Sequence, residues 1–252
     1  MRVMTPLLKL NNICKSFGAV RALTDIDFEL YESEVVALAG DNGAGKSTLI
    51  KIISGAQPAD SGQFWFEGRE VTVRKPEDAR QLGIETVYQD LALFDDSNVA
   101  ENIFAGREAV RNVLGARFLK AEEMHRRSKE LLKSLNIHIQ STHFTVKGMS
   151  GGQRQSVAIA RAVAFGRKVV ILDEPTAALG VPEQEKVLSL IKDLRSRGFS
   201  IILISHNLHH IFEVCDRVHV LRQGSTAGVR KKAETNPDDI VKLITGGNLV
   251  AH

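Results

Sequence analysis

Val35-Val36-Ala37-Leu38-Ala39-Gly40-Asp41-Asn42-Gly43-Ala44-Gly45-Lys46-Ser47-Thr48-Leu49 is the stretch on which the fold class turns. Its first five residues form an unbroken apolar run of strand length, as a strand buried on both faces requires. A glycine-rich turn follows, and Thr48, Leu49, Ile52 and Ile53 carry helical apolar spacing. Gly40 to Ser47 matches the phosphate-binding pattern G-x-x-x-x-G-K-[ST], in the strand–turn–helix setting that the pattern needs. Glycines let the backbone wrap close to an anion, so its N–H groups and the helix N-terminus face phosphate oxygens. Gly40, Asp41, Asn42, Gly43, Ala44, Gly45, Lys46, Ser47 and Thr48 are therefore candidate nucleotide contacts. Lys46 would neutralise the β- and γ-phosphates of ATP, and Ser47 would offer its hydroxyl to Mg2+.

Upstream of this stretch, Ile26, Phe28 and Leu30 alternate with polar residues. Downstream, Phe64-Trp65-Phe66 leads through Glu67-Gly68 to Val71 and Val73, a hairpin pattern. The first part of the chain is thus expected to carry an antiparallel sheet. Residues 90–165 read as mostly helical, with Met124, Leu131, Leu132 and Leu135 on one face of a charged segment. Strand–helix alternation follows. Val169–Leu172 and Ile201–Ile204 are strands; Val187, Leu190, Ile191 and Leu194 stripe a helix closed by Gly198; Leu208, Ile211, Phe212 and Cys215 stripe another. Such alternation predicts a parallel sheet with helices on its faces. Asn236-Pro237 is a start signal for a last short helix through Ile240, Val241 and Ile244.

With 252 residues, 43% hydrophobic and 25% charged, the composition is that of a globular chain able to bury a sizeable core. A net charge of +3 is too mild to argue for a nucleic-acid binder, and Arg230-Lys231-Lys232 reads as a solvated surface turn. Cys14 and Cys215 make no disulfide framework; Cys215 reads as a small core residue. The longest apolar runs fall far short of the roughly 20 residues that span a bilayer. The expectation is a soluble, intracellular chain whose membrane association comes through a partner.

A phosphate loop of this kind also needs a carboxylate at the end of a neighbouring strand. Asp173-Glu174 closes the run Lys168–Leu172. Asp173 would hold Mg2+ through water, and Glu174 would orient or deprotonate the water that attacks the γ-phosphate in line. Two adjacent acids at a strand end can equally be a solvated turn; the phosphate loop upstream favours the functional role.

Met149-Ser150-Gly151-Gly152-Gln153 decides the subclass. Ser150 and Gln153 have capping-box spacing, so the segment reads as a capped helix start. It also resembles the signature sequence of the ABC family, with Met where Leu is usual. The resemblance implies that Ser150, Gly151, Gly152 and Gln153 meet the γ-phosphate of ATP held by the opposite subunit. Gln89, in Val87-Tyr88-Gln89-Asp90, resembles the glutamine that senses Mg2+ and water, in a segment that touches the membrane partner. His206, after Ile201–Ser205, resembles the histidine that contacts the γ-phosphate. Phe17 takes the place of the aromatic, usually Tyr, that stacks on adenine. His209 and His210 match no motif and are expected at the surface. After Asp173-Glu174-Pro175-Thr176 the family commonly reads Ser-Ala-Leu-Asp, whereas this chain has Ala177-Ala178-Leu179-Gly180. Gly180 removes a carboxylate that usually helps link the two sites of the dimer.

The resemblance runs from about Leu7 to Gly246 and is strongest toward single-domain ATPases of bacterial monosaccharide importers of the ribose, xylose and fructose type. It implies an α/β P-loop NTPase of ABC type: a mainly parallel core and an antiparallel N-terminal β-subdomain over about 1–89 and 166–252, with a helical insert over about 90–165. It further implies a homodimer on ATP binding, transmembrane permease subunits, a periplasmic sugar-binding protein acting indirectly, and a peripheral place on the cytoplasmic face of the inner membrane. No nucleic-acid partner is expected. Three alternatives stand beside sugar import: an ABC ATPase moving another solute, one acting in DNA repair or translation, and a nucleotide-binding subunit that gates its partner without hydrolysis. Against the second, no long coiled coil, tandem domain or basic linker is visible. Against the third stand Lys46, Asp173 and Glu174.

Overall fold

The computed structural model describes residues 5–113, 116–165 and 168–247. From the N-terminus, β1 (Leu8–Phe17) and β2 (Val20–Leu30) form an antiparallel pair, followed by β3 (Val35–Ala39) and α1 (Lys46–Ile53). β4 (Ser61–Phe66), β5 (Arg69–Val71), α2 (Pro76–Gln81) and β6 (Ile84–Val87) complete the first half. A mainly helical stretch follows: α3 (Val99–Phe104), the hairpin β7 (Val110–Val113) and β8 (Ala116–Leu119), α4 (Ala121–Ser134) and α5 (Gly151–Phe165). Then come β9 (Val169–Asp173), α6 (Val181–Ser196), β10 (Ser200–Ile204), α7 (Leu208–Val214), β11 (Arg217–Arg222), β12 (Ser225–Lys231) and α8 (Pro237–Thr245).

Two sheets carry the architecture. One is antiparallel, in the order β2-β1-β4-β5; the other has the order β12-β11-β3-β10-β9-β6 and is parallel except at its β12 edge. The parallel strands are apolar at nearly every position because both faces are covered. Val35, Ala37, Val170, Leu172, Ile201 and Leu203 face the helices of the second half. Val36, Leu38, Val169, Ile171, Ile202 and Ile204 face α1 and the antiparallel sheet. One sheet thus serves two cores, and each strand alternates between them.

Local chemistry sets the helix ends. The Asn98 and Glu101 side chains bond reciprocally to each other's backbone N–H at the start of α3 (both 2.9 Å), and Asn236 accepts the Asp239 N–H at 3.0 Å to start α8 with Pro237 as its first residue. Cys215 is buried just past α7, where burial pushes its thiol up to about 12, and both cysteines are free.

Two features depart from expectation. The segment read as mostly helical holds the β7–β8 hairpin, and the stretch between α7 and Asn236 holds β11 and β12. β12 is an edge strand with no fully buried position, so its sequence lacks the apolar run that marks a central strand. Arg230 and Lys231 end β12, and a 3-10 turn over Lys232–Glu234 follows.

Candidate active site

The parallel register brings four strand ends to one edge. β10 pairs with β3 on one side and β9 on the other, so Ile204 lies opposite both Leu38 and Asp173, and Val87 of β6 lies opposite Leu172. The glycine-rich loop therefore leaves β3, His206 follows β10, Asp173-Glu174 ends β9 and Gln89 follows β6, all at the carboxyl edge. Ligands of open α/β sheets bind at this edge.

The loop is shaped by close packing. A Cβ on Gly40 would stand 2.4 Å from the carbonyl oxygen of Leu221, so only glycine lets β3 pass into the loop beside β11. Gly45 has φ 104° and stands before α1, turning the chain into the helix. The Ala44 carbonyl accepts the Gly224 N–H at 3.1 Å, and the Gly224 carbonyl accepts the Thr24 N–H at 2.7 Å. The β11–β12 turn thus walls the loop, a contact that no local motif announces.

Lys46 donates to the carbonyls of Gly40 (2.7 Å) and Asp41 (2.9 Å), folding its ammonium over the loop. Burial lowers its pKa, and the nearby Glu174, Asp41 and Asp173 oppose that shift. Burial raises the Asp173 pKa, Glu174 adds to the rise, and Lys46 offsets it. Asp173 and Glu174 together would repel each other without a cation nearby. Glu174 has φ 49°, and its N–H bonds the Ile204 carbonyl at 3.0 Å, which aims the side chain off the strand. His206 Nδ1 lies 2.9 Å from Glu174 Oε2, with the carboxylate 14% and the imidazole 77% exposed. That approach lacks hydrogen-bond geometry, so Glu174 Oε2 is a buried oxygen without a donor. Ser47 and Gln89 are exposed at the same edge, and Thr48 is half-buried. Phe17 ends β1 with 46% of its surface exposed, and the Lys15 ammonium lies 5.8 Å from its ring centre.

The donor set fits a magnesium ion. Ser47 hydroxyl, Asp173 carboxylate and Gln89 amide oxygen are hard ligands, and Glu174, next to Asp173 in the chain, has a buried oxygen without a hydrogen-bond partner. Among the described residues no group of three or more His, Cys, Asp or Glu forms a metal site by itself.

Ser150 sits elsewhere, at the tip of α5. Its N–H bonds Gln153 Oε1 at 3.0 Å, and the Gln153 N–H bonds Ser150 Oγ at 3.3 Å, the reciprocal cap that the spacing predicts. The tip packs on the turn before α6, where a Cβ on Gly151 would lie 3.1 Å from Leu179 Cδ2. No hydrogen bond among the described residues joins Ser150 to the loop of its own chain.

His210 corrects the sequence reading. It is buried, its Nδ1 lies 3.0 Å from Thr176 Oγ1 and its Nε2 lies 3.3 Å from Asn207 Nδ2. It ties α7 to the turn after Glu174, and burial lowers its pKa. Its neighbour His209 is exposed, as expected.

Beside Gln89 lies a cleft of about 410 Å3 lined by Tyr88, Ala92, Phe94, Arg80, Arg107 and Phe165 among others. Arg161 donates to the carbonyls of Leu91 (2.6 Å) and Ala92 (2.7 Å) and so holds the segment after Gln89 against α5. Arg107 pairs with Glu85 at the cleft wall. Phe94 is 61% exposed.

Known proteins share both the sequence and this architecture. A xylose/arabinose import ATP-binding protein of Sulfolobus acidocaldarius is 49% identical over 96% of this chain and 95% of its own length. A fructose import ATP-binding protein of Rhizobium meliloti is 48% identical over 96% and 94%. A galactofuranose transporter ATP-binding protein of Escherichia coli is 41% identical over 98% of this chain, which spans about half (48%) of that longer relative. Among solved structures, a nucleotide-free ATP-binding cassette from an ABC transporter superposes with a TM-score of 0.81, at 25% identity over 96% of both chains. A cassette solved as a dimer in a post-hydrolysis state with ADP and Pi gives 0.74 at 26% identity, over 89% of this chain and 98% of that one. The profile of the ABC transporter family matches residues 23–177. By family match, sequence identity and fold alike, this chain belongs to the ABC transporters.

Proposed function

We propose that the chain is the ATP-hydrolysing subunit of an importer of a simple sugar. What carries this reading is one convergence: Lys46, Asp173, Glu174 and His206 stand at the carboxyl ends of adjacent parallel strands, beside a loop built to wrap phosphate.

In this reading the Gly40–Thr48 loop cradles the phosphates of ATP, and Phe17 lies against the adenine. Lys46 exchanges the carbonyls of Gly40 and Asp41 for β- and γ-phosphate oxygens. Ser47, Asp173 and Gln89 hold Mg2+, which neutralises charge on the phosphates. Glu174 Oε2 accepts a proton from the attacking water, and His206, whose Nδ1 lies 2.9 Å from that oxygen, faces the γ-phosphate. Two copies close on two ATP molecules, with the capped tip of one at the γ-phosphate of the other. The cleft beside Gln89 receives a permease segment, so closure of the dimer pulls on the membrane partner. A periplasmic sugar-binding protein delivers the cargo, and the chain lies on the inner face of the membrane through its permease. Among the described residues no helix is long and apolar enough to cross a membrane. The choice of sugar falls to the permease and the binding protein, since every site residue named here faces nucleotide.

Glu174→Gln tests the chemistry. Phosphate release is expected to fall at least about 100-fold while ATP still binds and traps a dimer visible by size-exclusion chromatography. Turnover near the wild-type rate would overturn the role of Glu174. Uptake of labelled xylose, fructose and ribose by vesicles holding the chain with its co-purifying permease tests the cargo class.

A further inference from the structure

We infer that Glu183 is a positioning residue for the tip of α5, and that residue 152 is glycine because Glu183 packs against it. The inference rests on the proposal that this tip meets the γ-phosphate held by an opposing copy.

The contacts lie within one chain. A Cβ on Gly152 would stand 2.6 Å from Glu183 Cγ and 2.9 Å from Glu183 Cβ, while the Glu183 Cα is 3.9 Å away. Contacts under 3.0 Å to the base of a side chain are relieved only by moving one of the two helices. The same Glu183 side chain reaches Gly180, where a Cβ would meet Glu183 Oε2 at 2.8 Å. One half-buried side chain in the first turn of α6 therefore covers two glycines, one in each of two chain segments. Gly180 stands before α6 without a side-chain cap, and the carboxylate of Glu183 occupies the space a side chain there would need. At position 180, where the family commonly carries an acid, the Glu183 carboxylate fills the space beside Gly180, while the Glu183 Cβ and Cγ lie against the α5 tip. The Ser150 side chain is exposed and bonds only within its own cap, so the packing of Gly151 and Gly152 on residues 179–183 helps set where Ser150 points.

A double-mutant cycle between 152 and 183 tests this, run in the Glu174→Gln protein with ATP-driven dimerisation measured by sedimentation and ATP affinity of the monomer as control. Gly152→Ala is expected to weaken the dimer about tenfold while monomer ATP affinity stays within about twofold. In the Glu183→Gly background the same alanine is expected to have no further effect. Glu183→Ala, which keeps the Cβ at 2.9 Å, should relieve the loss only in part. Equal weakening by Gly152→Ala in all three backgrounds would overturn the inference, since the glycine would then be demanded by the phosphate rather than by Glu183. No weakening at all would overturn it too. Should the parent protein never dimerise with ATP, the cycle is read in thermal unfolding; should Gly152→Ala fail to fold, it is read in whether adding Glu183→Gly restores a folded protein with a melting transition. Recovery of the melting temperature by Glu183→Gly supports the packing, and absence of recovery refutes it. Failure of the parent to dimerise would count against the functional proposal alone.

Discussion

Single residues at the site are held by contacts that leave little room for substitution. Gly40 is the plainest case, because the Leu221 carbonyl occupies the space of a side chain. Gly40→Ala must push β11 or the loop aside, and overpacking of that sort costs about 1–3 kcal/mol. We expect a lower melting temperature together with at least about tenfold weaker ATP binding, read by calorimetry; unchanged affinity would show that the loop tolerates displacement. His210 belongs to the same scale. A histidine with no motif is bonded to Thr176 and supports the turn that carries Glu174. His210→Ala is expected to lower turnover more than ATP affinity, because it loosens the turn at Glu174 and leaves the loop untouched; steady-state kinetics with ATP binding measured in parallel checks the split.

Among the elements, β11 carries a buried histidine with a readable consequence. His219 is buried, lies 3.1 Å from Thr226 Oγ1 through Nε2 and rests against the Phe28 ring at 5.3 Å. Burial lowers its pKa from 6.5 to about 4. The unfolded chain therefore takes up a proton near pH 6.5 that the folded chain refuses until about pH 4. Stability from this group is complete above the unfolded pKa and drains away as pH falls through that window. Each pH unit inside it is worth at most about 1.4 kcal/mol. His219→Phe, which keeps a ring beside Phe28, should make stability fall less between about pH 6.5 and about pH 5, by about 2 kcal/mol relative to wild type in urea unfolding. Equal acid sensitivity of the two proteins would contradict a neutral buried imidazole.

On the scale of the whole molecule, the carboxyl edge and the cleft beside Gln89 are joined by β6 and by Arg161, which clamps residues 91 and 92. An exposed phenylalanine at the rim of a cleft is a natural anchor for a partner. Phe94→Asp is expected to leave ATP binding and basal hydrolysis by the isolated chain within about twofold, while permease capture falls at least about tenfold. Retention of the permease at wild-type strength would move the docking surface elsewhere.

The sequence by itself determined the phosphate loop, the Asp173-Glu174 pair, the capped start of α5 and the buried strands β3, β9 and β10. Each is written in local spacing, because glycine turns, caps and doubly buried strands impose their residue types within a few positions. The order β12-β11-β3-β10-β9-β6 was not legible, nor was the hairpin β7–β8, whose second strand is exposed throughout and carries no apolar run. Only the tertiary structure decided that Leu221 and Gly224 wall the loop, that His210 is buried on Thr176, and that Glu183 lies over Gly152. Those contacts join residues about 30 to 180 positions apart, and packing between distant segments leaves no periodicity in either of them.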